Sequence, residues 1–141
     1  MREILFKAKR KDNGEWVEGY YVYDNVKNKA FICATRLLYE WLPKVMWIEV
    51  DPNTLCQFTG CCDKNGKRIW ENDICDRKEK YPEVVKMTSG DWTLDYSYAL
   101  GRDFGNSYCN LGFYVDERNC VEVIGNIFDQ PELLREVKQN E

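Results

Sequence analysis

Apolar and polar residues alternate along most of the chain, and clusters of Asp, Asn, Gly and Pro separate the alternating runs. A period of two puts every second side chain on the same face, which is typical of strands with one buried face. Aromatic and β-branched residues, which favour strands, fill these runs. The pattern predicts strands at 16–23, 29–35, 45–50, 55–60, 67–70, 81–87, 92–96, 111–115 and 120–128.

Short-range turn signals predict where the chain reverses. Asn65-Gly66 supplies the positive φ of a tight hairpin turn, and Asp51-Pro52-Asn53 is a strong turn signal after a strand. Asn72 tolerates the left-handed conformation, so we expect a second tight turn there. The stretch 36–42 fits a helix or a strand, and in either case Pro43 is expected to end it.

The C-terminus carries the one clear helical signal. Asp129 can cap a helix, Pro131 fits its first turn, and Glu132 follows at the spacing of a capping box. The stretch 99–110, which contains Gly, Asn and Ser, predicts a loop between strands. The predicted helix has one apolar stripe, formed by Leu133, Leu134 and Val137.

Many short strands and one short helix predict a β-rich fold, between all-β and α+β. The expected architecture is a curved N-terminal sheet, a small C-terminal β-barrel and one short C-terminal helix. The turn at 51–52 suggests an N-terminal β-rich segment at 1–50 and a barrel-like domain with the helix at 51–141. A single domain over 1–141 fits the same pattern.

Composition and charge exclude several classes of protein. The 141 residues are 44% hydrophobic and 31% charged, which is typical of a globular domain and excludes disorder. The net charge of −4 opposes nucleic-acid binding through bulk charge. The chain has no His, which removes Ser-His-Asp triads, Cys-His pairs and His-containing metal sites. No apolar run reaches signal-peptide or membrane-helix length, so we expect a cytoplasmic protein without membrane contact.

Seven cysteines invite a metal or redox interpretation, but their spacing does not support one. Zinc ribbons need paired ligands at C-x2-C or similar spacing, and the chain contains no C-x2-C. In the cytoplasm we expect reduced thiols that pack as small hydrophobic side chains, and we expect no cofactor. The cysteines are Cys33, Cys56, Cys61, Cys62, Cys75, Cys109 and Cys120.

Two charged clusters are candidate sites. Asp63, Glu71 and Asp73 could in principle hold a metal, but an EF-hand loop needs more ligands before its Gly and helices on both sides. Asp and Asn bond their own backbone in turns, so a turn is the favoured interpretation. A basic strip could contact phosphate or an acidic partner; it is formed by Lys7, Lys9, Arg10 and Lys11.

Two longer motifs carry a family resemblance. Gln57–Gly60 with Asp63–Ile74 looks like Q-[YF]-T-G-x-x-D-K-N-G-K-x-I-[YW]-E-G-D-I, a pattern of the YopX family of phage and prophage proteins. Val121–Phe128 with Pro131–Leu134 resembles the closing V-x-V-I-G-N-I-[YF]-x-x-P-E-L-L of that family. Asn72 stands where the family has Gly. In the opening segment, Lys7 and Lys9 replace the usual Arg and Trp.

The resemblance implies a β-rich fold and a self-associating accessory protein encoded by mobile elements. It carries over no catalytic residue, and no catalytic constellation is evident, so we expect a non-enzymatic homo-oligomer with an unidentified protein partner. Aromatic residues are favoured at protein contacts, which makes Tyr20, Tyr21, Trp41 and Trp47 candidate interface residues.

The alternatives to this interaction module are a nucleic-acid-binding or regulatory module that uses the basic strip and, least favoured, a carboxylate–metal enzyme. The polar residues of the motifs either satisfy backbone groups in turns or form a ligand or partner surface. These residues are Gln57, Thr59, Glu71, Asp73 and Asn126.

Overall fold

The structure, a computed structural model, describes residues 4–39, 42–100 and 108–134. Its described part forms eleven strands in two antiparallel sheets, with only short helical segments, which confirms the predicted β-rich fold class. Closure of the C-terminal strands into a barrel stays a prediction. The strands are β1 (Phe6–Lys9), β2 (Trp16–Asp24), β3 (Lys29–Tyr39), β4 (Leu42–Val50), β5 (Cys56–Cys62), β6 (Arg68–Trp70), β7 (Asp73–Asp76), β8 (Glu83–Thr88), β9 (Asp91–Asp95), β10 (Tyr108–Asn110) and β11 (Glu122–Asn126).

The chain divides into two compact units, Met1–Phe58 and Thr59–Glu141. The division falls inside β5, whose first residues pair with β1 and whose later residues pair with β6. The predicted domain boundary between residues 50 and 51 stays a prediction. No helix of the described residues is both long and apolar enough to cross a membrane.

The first unit is a curved sheet with the strand order β4-β3-β2-β1, followed by the start of β5. Val50 at the end of β4 bridges Arg10, which follows β1, and the N–H of Asp51 donates to the Lys9 carbonyl at 2.9 Å. The sheet therefore curls so that β1 and β4 meet at one end. The inner face forms the core of this unit, with Ala8, Ala30, Ile32 and Val50 buried and Phe6, Val17, Tyr21, Ile48 and Leu55 packed against them.

Pro43 lies inside β4, so the expectation that it ends the preceding element is wrong. β4 is the last strand of the sheet on its side, and proline is tolerated in a strand whose missing N–H faces away from the neighbouring strand. The ambiguous stretch 36–42 continues β3 to Tyr39 and begins β4 at Leu42, and residues 40–41 lie outside the described residues.

The second unit contains the β5–β6 hairpin and a sheet with the order β10-β9-β8-β7-β11. β11 pairs with β7, with a register shift between Val123 and Gly125. A Cβ on Gly125 would lie 2.7 Å from Gln130 Oε1 and 3.1 Å from Leu133 Cδ1, so glycine allows the C-terminal helical turn at 132–134 to pack closely on β11. The core is formed by Ile69, Cys75, Val85, Trp92, Leu94, Leu111 and Val121.

Two predicted elements of the second unit are wrong. Residues 111–117 are helical rather than a strand, and Phe113–Glu117 form a π-helical turn closed by the Arg118 N–H and the Phe113 carbonyl. Leu111 is buried and Tyr114 and Val115 pack on the core, which is the i, i+3, i+4 spacing of a helix. The predicted loop at 99–110 begins in a short helix, α1 (Ser97–Leu100), and ends in β10; residues 101–107 lie outside the described residues.

We predict that Gly19→Ala destabilises the first unit. A Cβ on Gly19 would clash with the Cys33 carbonyl oxygen and lie 2.9 Å from Ile32 Cγ2, and the carbonyl belongs to the backbone of β3, so it has little room to move. The free energy of unfolding should fall by about 2 kcal/mol, as overpacked substitutions do. Urea unfolding followed by Trp fluorescence measures it.

Gly112→Ala is the matched control, because a Cβ there meets a side-chain atom rather than backbone, the Oδ1 of Asn110 at 3.3 Å. Its unfolding free energy should stay within about 0.5 kcal/mol of wild type, the usual range for substitutions without such a contact. Equal unfolding free energies for Gly19→Ala and wild type would contradict the close approach of β2 and β3.

Candidate functional site

An apolar surface covers the outer face of the first unit's sheet, which we define as the side of β2, β3 and β4 opposite the core. Tyr20 is 63% exposed, Trp47 59% and Val45 54%, and Val22 is also exposed. In the sheet register Cys33 lies between Tyr20 and Trp47, so these side chains are neighbours. A shallow groove of about 430 Å³ on this face is lined by Val22, Asp24, Lys27, Phe31 and Trp47.

Two of the four predicted interface aromatics, Tyr20 and Trp47, lie on this outer face. Tyr21 lies on the opposite face and packs against the core, as strand alternation requires for the residue next to Tyr20. Trp41 lies outside the described residues. The sequence therefore identified the surface through its residue type, but it could not tell which of two adjacent tyrosines faces outwards.

Charged side chains of both signs border the outer face. By strand alternation the basic ones are Lys7 and Lys9 of β1 and Lys29 of β3, and the acidic ones are Glu18 and Asp24 of β2 and Glu49 of β4. Lys29 Nζ lies 3.9 Å from Glu49 Oε1. With Lys27, which lines the groove, the border thus carries four basic and three acidic side chains among the described residues.

The four side chains of the predicted basic strip have different partners. The Nζ atoms of Lys7 and Lys9 lie 4.6 and 5.4 Å from the ring centroid of Trp16, within the range of cation–π contact. Arg10 donates from Nε and Nη2 to the carboxylate of Asp12 at 2.9 and 2.7 Å. Lys11 Nζ lies 3.7 Å from Glu49 Oε2. Nucleic-acid binding by this strip stays a prediction.

The polar motif residues in the second unit bond to backbone groups. Thr59 Oγ1 donates to the Ile69 carbonyl at 2.7 Å and accepts from the Cys61 N–H at 3.1 Å. Asp73 is buried, and its Oδ2 accepts from the Trp70 N–H at 2.8 Å. These bonds hold β5 against β6 and shape the turn into β7, which is the turn role that the sequence allowed for them.

Asn126 organises the turn after β11. Its Oδ1 accepts from the N–H groups of Phe128 and Asp129 at 3.0 and 2.9 Å, and its Nδ2 donates to Asp129 Oδ2 at 3.1 Å. Glu71 is half-buried in the turn between β6 and β7, and Gln57 pairs with Phe6 in the first unit. Whether any of these residues also serves a ligand or partner stays a prediction.

Asp63 makes the longest-range bond of the hairpin motif. Its Oδ1 accepts from the N–H groups of Asn65 and Lys67, and its Oδ2 accepts from the N–H of Val123 on β11, all at 2.9 Å. Burial tends to raise the pKa of Asp63, but these donors and the charge of Lys67 outweigh it and hold the pKa below its ordinary value. The carboxylate is therefore bound as a charged group. Within the described residues, no three Asp, Glu or Cys side chains gather as a set of metal ligands.

A buried ion pair in the second unit was not anticipated from the sequence. Arg77 Nε lies 2.6 Å from Glu83 Oε1, and the two side chains are only 11% and 1% exposed. The guanidinium also stacks on Tyr114 at 4.3 Å, and Cys109 Sγ donates to Glu83 Oε2 at 3.6 Å. Burial raises the pKa of Glu83 above its ordinary value despite the Arg77 charge. A pocket of about 200 Å³ beside the pair is lined by Arg77, Glu79, Lys80, Tyr81, Glu83 and Tyr96.

Seven thiols, all in the described residues, are free. Cys56 and Cys75 are buried, as expected of packing residues, whereas Cys62 is exposed and the other four are half-buried. Burial raises the pKa of Cys75 well above its ordinary value and that of Cys109 to about 12. These two thiols therefore stay protonated near neutral pH, where a nucleophile needs the thiolate.

Comparison with known proteins assigns the chain to a family. The model of the family described as YopX protein matches residues 5–135. The chain belongs to the YopX family. The crystal structure of protein EF1440 from Enterococcus faecalis is similar to this YopX protein with 22% identity and a TM-score of 0.57, over 95% of this chain and 99% of that chain, which shows a shared fold. No curated protein matches the sequence.

Backbone bonds join the two YopX motifs of the second unit. Asn72, where the family pattern has Gly, takes the left-handed conformation at φ 71°, as predicted. Its N–H donates to the Val85 carbonyl at 2.9 Å, and its carbonyl accepts from the Ile127 N–H at 3.0 Å. Together with the Asp63–Val123 bond, this contact ties the hairpin motif to the closing motif.

We predict that Asp63→Ala strongly destabilises this YopX protein. The substitution leaves three N–H groups without their acceptor, and a buried donor that loses its partner costs about 1–3 kcal/mol. The free energy of unfolding should fall by about 3 kcal/mol in urea denaturation at pH 7. Asp24→Ala is the matched control, because Asp24 accepts only from Val26 and Lys27 in its own turn, and it should cost less than about 1.5 kcal/mol.

The Asp63 contribution should depend on pH in a defined direction. Its folded pKa lies below the ordinary value of 3.8, so its stabilisation is complete above that pH and is lost as the pH falls through the folded pKa. The difference in unfolding free energy between wild type and Asp63→Asn, measured from pH 7 to pH 2, should therefore shrink only in the acid range. A difference that is constant over the whole range would contradict the charged state.

We predict that Glu83→Gln destabilises the second unit by about 3 kcal/mol, because it removes the buried carboxylate that pairs with Arg77 and leaves the guanidinium beside the exposed carboxylate of Glu79. Glu79→Gln is the matched control: Glu79 binds the same guanidinium at 3.0 Å but is 58% exposed, so its loss should cost less than about 1 kcal/mol. Thermal and urea unfolding measure both variants. Equal costs for the two variants would show that burial does not distinguish these ion pairs.

Proposed function

We propose that this YopX protein is a non-enzymatic accessory protein of a phage or prophage, which acts in the cytoplasm by associating with itself and, in that form, binding a further protein. The outer face carries the proposal. Tyr20, Val22, Val45 and Trp47 are exposed next to one another, and contiguous exposed apolar side chains rimmed by polar residues are typical of protein-contact surfaces. Aromatic residues are enriched at such contacts.

The charge at the border of the outer face supports a second copy of the chain as its occupant. Four basic and three acidic side chains border the face, so a second identical face can place opposite signs together. A two-fold interface uses the same patch on both subunits and therefore needs such self-complementarity. A polyanion or polycation would meet side chains of its own sign as well as side chains of the opposite sign.

Nucleic-acid binding is the second candidate function, and the specific observation that favours it is the contact of Lys7 and Lys9 with Trp16. A cationic and aromatic surface on adjacent strands is the kind of surface that binds single-stranded nucleic acid. Arg10 and Lys11, however, each lie against a carboxylate, and the whole chain is acidic. Self-association therefore has the stronger support.

We predict that Trp47→Ser weakens self-association at least about tenfold, because large aromatic side chains carry most of the binding energy at contact surfaces. Trp47 is mostly exposed in the single chain, so the variant should keep the wild-type circular dichroism spectrum. Sedimentation velocity between about 1 and 100 µM gives the dissociation constants of both proteins.

Val26→Ser is the matched control for loss of an exposed apolar side chain. Val26 lies in the turn between β2 and β3 and is 92% exposed, so its substitution should leave the dissociation constant unchanged. A wild-type protein that stays monomeric over the whole concentration range contradicts the proposed function. Equal weakening by Val26→Ser and Trp47→Ser would contradict the outer face as the contact surface.

A further inference from the structure

The free edge of β4 has a defined set of unused backbone groups. β4 pairs with β3 on one side. In an antiparallel pair, the N–H and C=O groups of one residue bond the opposite residue, and those of the next residue point away from the neighbouring strand. The Glu49 carbonyl accepts from the Lys11 N–H at 3.1 Å, so the backbone groups of Glu49 point away from β3. By alternation those of Val45 and Trp47 do the same. Within the described residues, no backbone group outside β3 bonds to Val45 or Trp47.

The open part of this edge is short and bounded at both ends. At one end, Lys11 already occupies the position beside Glu49. At the other end, Pro43 has no N–H to donate. A groove of about 540 Å³ lies at the Lys11 end of this edge and is lined by Arg10, Lys11, Asp12, Met46, Trp47, Ile48 and Glu49.

We propose that β4 pairs antiparallel with β4 of a second copy of the chain, with Met46 opposite its own counterpart. This inference rests on the proposed self-association and places the contact at the β4 edge of the outer face, where Val45 and Trp47 lie. In this register Val45 of each copy lies opposite Trp47 of the other, and their outward N–H and C=O groups form four hydrogen bonds about the two-fold axis. The pairing covers residues 44–48, and the strands separate beyond them because Lys11 lies beside Glu49. The sheet then continues across the two copies.

The neighbouring registers use the edge less well. If Trp47 lay opposite its counterpart, Val45 would face Glu49, whose outward carbonyl already bonds Lys11. If Val45 lay opposite its counterpart, Trp47 would face Pro43, which has no N–H. Only the register centred on Met46 gives every outward group of Val45 and Trp47 a partner.

Side chains support a second copy as the occupant of this edge. The register puts Val45 of one copy beside Trp47 of the other, on the outer face, and a β-branched residue beside an aromatic one is a favourable cross-strand pair. Both side chains are more than half exposed in the single chain. A strand that lacked this sequence would satisfy the backbone groups but leave these two apolar side chains without their partner.

Amide hydrogen exchange at single-residue resolution tests the pairing. At concentrations well above the dissociation constant, exchange of the Val45 and Trp47 N–H groups should slow at least about tenfold relative to dilute protein. The N–H groups of Met46 and Ile48, which point towards β3, should exchange equally slowly at both concentrations and serve as internal controls.

Two variants give an independent measurement by sedimentation velocity. Val45→Pro removes an outward N–H at a position where an edge strand tolerates proline, so it should weaken association at least tenfold. Val26→Ser removes an exposed apolar side chain from the turn between β2 and β3 and should change the dissociation constant less than threefold. If Val45→Pro unfolds the chain, the exchange measurement on wild-type protein still decides.

The outcomes separate the mode from the proposed function. Self-association in which Val45 and Trp47 exchange freely at high concentration, and in which Val45→Pro leaves the dissociation constant at the wild-type value, overturns edge pairing and leaves self-association through the outer face standing. Protection of Val45 and Trp47 in dilute monomer overturns it too, because their partner would then lie within the chain. A chain that never associates overturns both proposals.

Discussion

The Asp63 carboxylate accepts hydrogen bonds from three backbone N–H groups, two in its own turn and one, on Val123, in a strand sixty residues further along the chain. Burying a carboxylate is costly unless its oxygens are bonded, so the charge and the three donors belong together. The bond to Val123 fixes where β11 lies against the hairpin. The backbone bond between Asn72 and Ile127 then fixes the far end of the same strand. One side chain in a turn thus adds to the β7 ladder a contact that holds the closing strand of the second unit against the hairpin.

Local signals in the sequence predicted the parts of this arrangement that depend on neighbouring residues. Asn65-Gly66 and Asn72 determine φ at their own positions, and the structure has Gly66 at φ 83° and Asn72 at φ 71°. The helical segment at 111–117 was mistaken for a strand because its apolar residues fit both periods, and only packing against the core decides between them. The bond from Asp63 to Val123 could not be predicted, because it joins segments that only the fold brings together.

At the candidate site, too, the local sequence does not determine where adjacent residues of the same type lie. Tyr20 and Tyr21 are indistinguishable by composition, and strand register sends one to the surface and the other to the core. The role of Glu83 could not be predicted either. The residue lies inside the predicted strand at 81–87, and only the fold places Arg77, six residues earlier, against it. Polar motif residues such as Thr59 were found by type, but the Thr59 hydroxyl bonds backbone groups within the hairpin.

The edge of β4 shows how the first unit treats its exposed groups. Sheets guard free edges with proline, charge or a covering segment, because an open edge can pair with any extended chain. Here Pro43 guards one end and the segment at Lys11 covers the other. The middle of the edge is left open, and it carries Trp47 and Val45, two of the most exposed apolar residues of the unit. If the edge only had to avoid contact, we would expect a proline or a charged residue in its middle and the apolar residues elsewhere. Because only the two ends are blocked, the unpaired backbone groups form a stretch of one defined length, which a specific strand pairing needs.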